Sequence, residues 1–249
     1  MRSPLRRLVR NAWIASFMLL IGGLSQAAGQ AAGVPLKPYS AQYRLSMGRF
    51  VIGNVEISLK LADGRYHYRA FTAPVGLAAV FRKDQITEQS EGRLDDSRIV
   101  PMRYHYQHKK PKKSRQVKLE FDWSANLVTN RTAESHWTMQ IPRGTQDKFS
   151  QQLALMLALC RGEKEAEFQV ADGGLLKTYR YTEVSRERVK TAAGEHDTIK
   201  LARNKGERPS RASLWFDPTL NCLPVKIAKH EDDGDYVMEL VGVTWKDPS

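Results

Sequence analysis

The chain has 249 residues, with 39 Lys and Arg against 27 Asp and Glu, a formal charge of +12. Its 17 Gly, 11 Pro and 41% apolar residues exclude a collagenous, low-complexity or wholly disordered protein. Two cysteines exclude a Cys₄ zinc site and a multi-disulfide scaffold.

Residues 1–11 carry Arg2, Arg6, Arg7 and Arg10 with no acid, and an apolar run from Ala12 to Ile21 follows. Ser25-Gln26-Ala27 then places small residues at the −3 and −1 positions of a cut after Ala27. Together these make a secretory signal peptide over 1–27. The apolar run is short of the ~20 residues that a membrane span needs, and no second long apolar stretch follows. The expected location is the periplasm. Removing 1–27 takes away four arginines and no acid, so the formal charge falls from +12 to +8. Outside the cytoplasm such a cation meets anionic lipid head groups and wall polymers, not nucleic acid.

Residues 28–38, rich in Ala, Gly and Gln, read as a flexible leader. From Tyr39 the period is two: Tyr39, Ala41, Tyr43, Leu45 and Met47 alternate with polar residues, the pattern of a half-buried strand. The apolar phase then flips at Gly53-Asn54, which predicts a β-bulge. Asp63-Gly64 predicts a tight hairpin into 65–71. Val117 to Trp123, Ile199 and Leu201, Leu214 and Phe216, Val225 and Ile227, and 236–245 continue the alternation. Many strands with one wet face predict a mainly all-β antiparallel meander, a curved sheet or partly open barrel over 39–249 as one domain.

One helix interrupts the strands over 149–161. Asp147 or Ser150 can cap its start and Gly162 can close its end. Phe149, Leu153, Met156, Leu157 and Cys160 share one face, yet Ala154, Leu155, Ala158 and Leu159 make the other side apolar too. A helix apolar all round is buried on both sides or covers something greasy. It is therefore placed across the concave face of the sheet, buried or as a lid, with Leu155 and Leu159 toward any apolar ligand.

Gln151-Gln152-Leu153-Ala154-Leu155-Met156-Leu157, Leu214-Trp215-Phe216-Asp217-Pro218 and Leu223-Pro224-Val225-Lys226-Ile227, with the Tyr43 to Gly53 opening, resemble the exported bacterial proteins grouped as domain-of-unknown-function 3108. The likeness runs from about Tyr39 to Lys246. It implies a periplasmic location and brings no assigned activity or catalytic residue. More loosely, a curved sheet with one helix is similar to periplasmic carriers of lipoproteins and lipids, a likeness of architecture only.

Cys160 and Cys222 are either bridged, as an oxidising compartment favours, or Cys160 is a small buried hydrophobe. The run His108-Lys109-Lys110-Pro111-Lys112-Lys113-Ser114-Arg115 reads as a hairpin tip, either a solvated loop or a grip on anionic head groups through Lys109, Lys110, Lys112 and Lys113. Glu195-His196-Asp197 cannot form a local relay, because alternation puts His196 on the face opposite both acids. Glu231-Asp232-Asp233-Gly234-Asp235 reads as a turn and lacks the spacing of a calcium loop. Histidine spacing supports no metal site, and no nucleophile elbow, phosphate loop or dinucleotide fingerprint occurs. No cofactor is implied. The expected function is non-enzymatic: a periplasmic protein holding an apolar or amphiphilic envelope molecule. The alternative is an envelope scaffold that docks a partner through the basic hairpin or a strand edge.

Overall fold

The computed structural model describes residues 36–81, 83–95, 98–111, 114–205 and 208–247. The stretch expected to be a signal peptide, most of the expected leader, and Lys112 and Lys113 lie outside them. In chain order the elements are β1 (Tyr39–Met47), β2 (Phe50–Ala62), β3 (Arg65–Pro74), α1 (Leu77–Phe81), β4 (Gln85–Asp95), β5 (Arg98–Lys109), β6 (Arg115–Asp122), β7 (Leu127–Thr132) and β8 (His136–Gln140). There follow β9 (Gln146–Asp147), α2 (Ser150–Cys160), β10 (Glu165–Asp172), β11 (Leu175–Thr191), β12 (Gly194–Lys205), β13 (Arg208–Asp217), β14 (Leu223–Glu231) and β15 (Gly234–Trp245).

All fifteen strands form one sheet in the order β8-β7-β6-β5-β4-β3-β2-β1-β15-β14-β13-β12-β11-β10-β9. The chain is thus two meanders joined where its first and last strands pair, from Tyr39↔Trp245 to Met47↔Tyr236. Every pairing is antiparallel except β9 with β10. The predicted mainly-β curved sheet is what forms. Its curl is closed by side chains: Gln146 Nε2 on edge strand β9 donates to Ile99 O of β5 at 2.9 Å. Ser90 Oγ of β4 donates to Asp147 Oδ2 at 2.6 Å. Trp137 of β8 lies under Gly174 in the β10–β11 turn, 3.3 Å from where a Cβ would stand. The result is a partly open barrel.

The local signals explain the strand ends. Asp63 and Gly64 both have positive φ, 50° and 67°, the backbone of a two-residue hairpin turn whose twist matches the flanking strands. The bulge falls beside Gly53, where Leu45 pairs Gly53 and Ser46 pairs Val51, leaving Ile52 as the extra residue. At the start of the sheet Leu36 is buried, the Lys37 N–H donates to Asn221 Oδ1, and Pro38 O accepts from the Lys246 N–H. The end of the stretch read as a leader is therefore fixed.

Helix α2 runs inside the curl, with eight of its eleven residues buried. Asp147 starts it: its Oδ1 accepts the N–H of Phe149 at 2.8 Å and of Ser150 at 2.7 Å. Gly162, at φ 82°, ends it. Inward tyrosines grip its first turn. Tyr68 stacks on Phe149 with ring centroids 3.9 Å apart and donates to Gln152 Oε1, while Tyr181 donates to Gln151 Oε1 at 2.6 Å. The far end is held covalently, since Cys160 and Cys222 form a disulfide across 62 residues. The sequence predicts one helix; α1 is a second, a five-residue segment between β3 and β4. It is too short to show a helical period.

Candidate functional site: an amphipathic mouth

Inward positions follow from register. Tyr43, Val55, Thr72, Ile86 and His108 lie in successive paired rows across β1 to β5, and the rows beyond them toward the loops are not covered by α2. There the concave face opens as an apolar cleft of 480 Å³. This lies within the roughly 300–1,000 Å³ of small-molecule sites. Leu45, Met47, Gly53, Thr72, Pro74 and Ile86 form its walls, His108 and Tyr236 its sides, and Leu77 and Ala78 of α1 its rim.

A charged basin of 750 Å³ adjoins it, lined by Glu88, Tyr106, Lys148, Gln151, Tyr179, Arg203, Arg211, Lys229, Glu231 and Asp232. The two are neighbours through shared strands. Ile86 and His108 pair in the cleft while Glu88 and Tyr106, two residues along, pair in the basin. Tyr236 of the cleft pairs Lys229 of the basin. Gln151 and Lys148 make the start of α2 the basin's floor. One end of the curl therefore presents an apolar wall beside a charged one.

The basin's electrostatics follow from its partners. Burial pushes the Glu88 carboxyl up, opposed by the Tyr104 hydroxyl that donates to it at 2.6 Å and by Lys148. Asp172 is also raised by burial, but donation from Lys177 and Tyr179 and the charge of Lys148 outweigh this and hold it well below the usual carboxylate range. Arg211 pairs with Asp232 and Lys229 with Glu231. Arg203 lies over the Tyr179 ring, 5.4 Å from its centroid.

The structure sorts the residues singled out in the sequence. Leu155 and Leu159 are buried at 1% and 5% exposure, and neither lines the cleft. Lys109 and Lys110 are exposed next to His108, at the cleft's side. Lys112 and Lys113 lie outside the described residues. Glu231 ends β14, Asp232 and Asp233 make the turn, and Gly234 and Asp235 open β15. His196 does point away from Asp197, which pairs with Arg188 on the surface. It is buried against Asp217, Nδ1 to Oδ2 at 2.9 Å, with Thr191 at its Nε2. Asp217 Oδ1 accepts the Thr219 N–H, so the group clasps the turn beside the disulfide. Among the described residues no three His, Cys, Asp or Glu side chains converge as a metal site requires. No helix there is long and apolar enough to cross a membrane.

The profile of the family described as protein of unknown function DUF3108 matches residues 42–241. A β-barrel-like protein of domain of unknown function DUF1849 from Brucella abortus is similar over 86% of this chain and 100% of its own, at 13% identity and a TM-score of 0.56. That likeness shows a shared fold. A protein from Parabacteroides distasonis provisionally described as a lipoprotein covers 84% of this chain and 96% of its own, at 8% identity and a TM-score of 0.34. No curated protein matches the sequence.

Proposed function

The chain belongs to the DUF3108 family, and on that footing we propose that it is an exported, non-enzymatic protein that holds an amphiphilic envelope molecule in the mouth of its curled sheet. The observation that carries this reading is the junction of the two basins. An apolar chain fits between Thr72, Pro74 and Ile86, and a polar head falls among Lys148, Arg203 and Lys229. The signal-peptide pattern over 1–27 and the disulfide support an oxidising compartment such as the periplasm. In this reading α2 is the floor. Lys148 and Gln151 at its start line the basin, Leu155 and Leu159 belong to the core and not to the ligand site, and Lys109 and Lys110 attract an anionic head group at the rim.

The test is native mass spectrometry of the chain purified from the periplasm without detergent, followed by solvent extraction. A stoichiometric lipid-like mass is expected, lost in Ala78→Trp at the rim and in Thr72→Trp within the cleft. A clean unliganded mass that also refuses added fatty acid would overturn the reading and favour a docking protein. Retention of the ligand by both variants would place it elsewhere.

A further inference from the structure

Phe50, Val51, Leu77 and Val80 are 59%, 42%, 78% and 68% exposed. They are four of the seven large apolar side chains left exposed among the described residues, and all four stand at the cleft's end of the sheet. Leu77 and Val80 are three residues apart on α1 and so share one face. Core packing does not require them to be apolar. A clustered exposed patch of this kind marks a surface that meets another apolar phase.

What meets it is indicated by charge. Arg49, Lys83, Lys109 and Lys110 are exposed around the patch, with Arg49 lying over the Phe50 ring at 5.1 Å. The acids that approach this end are mostly engaged by bases: Asp84 by His108, Asp232 by Arg211, Glu231 by Lys229 and Asp235 by His230, while Asp233 accepts the Tyr236 hydroxyl. The surplus at the rim is positive. Protruding apolar side chains ringed by cations is the composition of surfaces that lie in the head-group layer of a membrane. An anionic bilayer supplies both the apolar depth and the negative layer above it.

We propose that this end docks on an anionic phospholipid bilayer, with Leu77, Val80 and Phe50 reaching below the head groups. Docking would turn the mouth of the cleft toward the lipid. That orientation rests on the reading of the cleft; the docking does not.

The experiment is co-sedimentation of the processed chain with phosphatidylcholine vesicles that contain or lack phosphatidylglycerol. Binding is expected to be at least about tenfold stronger with phosphatidylglycerol and to fall as salt is raised. Leu77→Asp with Val80→Asp should lose about tenfold or more, with unchanged circular dichroism because both positions are exposed. Lys109→Glu with Lys110→Glu should remove most of the salt-dependent part. Absence of binding, or equal binding by the apolar double variant, would overturn the proposal. So would a dimer of the native chain that the double variant dissolves while vesicle binding persists. Two sets of variants separate the two ideas: loss of ligand in Ala78→Trp and Thr72→Trp with vesicle binding intact leaves docking standing, and loss of vesicle binding in Val80→Asp alone, a residue outside the cleft lining, with ligand retained leaves the cleft standing.

Discussion

Two apolar stretches of this chain meet opposite fates. Ser150–Cys160 and Leu77–Phe81 both form helices rich in Leu, Ala and large apolar residues. The first lies inside the curl, where Leu153 and Met156 are fully buried and tyrosines from both halves of the sheet close on it. The second sits on a loop at the open end with Leu77 and Val80 in solvent. Length decides the difference. Eleven residues reach from the mouth to the disulfide and can fill a barrel, whereas five can only cap a hairpin. An apolar segment is core when the sheet can surround it, and contact surface when it cannot.

The contrast can be broken most forcefully at Leu155. Leu155→Asp puts a carboxylate among side chains that exclude water and should cost more than about 4 kcal/mol. It should appear as insoluble or unfolded protein, and soluble, folded Leu155→Asp would mean that α2 is a movable lid. Cys160→Ser with Cys222→Ser should cost about 4 kcal/mol in chemical denaturation, the chain-entropy value for a loop of 62 residues. Asp147→Ala leaves two backbone N–H groups at the start of α2 without their acceptor and should cost about 2–3 kcal/mol.

Asp147 also carries a pH signature. Burial, opposed by its hydrogen bonds, pushes its carboxyl up to about 6 from an ordinary 3.8. The folded state therefore takes up the proton first. Stability from this group is fully present below about pH 4 and is lost as pH rises through 6, by about 3 kcal/mol. Asp147→Asn should flatten that slope in urea titrations between pH 4 and 7. The smallest effect is expected at the other helix, where Leu77→Asp should move stability by less than about 0.5 kcal/mol. A large loss there would mean that α1 is core after all.

Much of the fold was legible because strands repeat every two residues. Tyr39 to Met47, the Asp63-Gly64 turn and the doubly apolar helix each carry a local signal that structure preserves. Sequence leaves the bridge open, because Cys160 and Cys222 meet only once the sheet has curled. The cleft was illegible for the same reason: Leu45, Thr72, His108 and Tyr236 come from four strands brought together by register. His196 shows the limit of local reading, since its partner is Asp217 and not its neighbours. The exposure of Leu77 and Val80 has no sequence signature, as Leu-Ala-Ala-Val-Phe reads equally well as core.

In the binding mode proposed above, the apolar chain of a ligand lies in the mouth and not along the helix. A crystal structure of the processed protein grown with lauric acid tests it most directly. The alkyl chain is expected between Thr72, Pro74 and Ile86, with its carboxylate toward Lys148 and Lys229. An alkyl chain lying against Leu155 and Leu159 within a displaced α2 would contradict it.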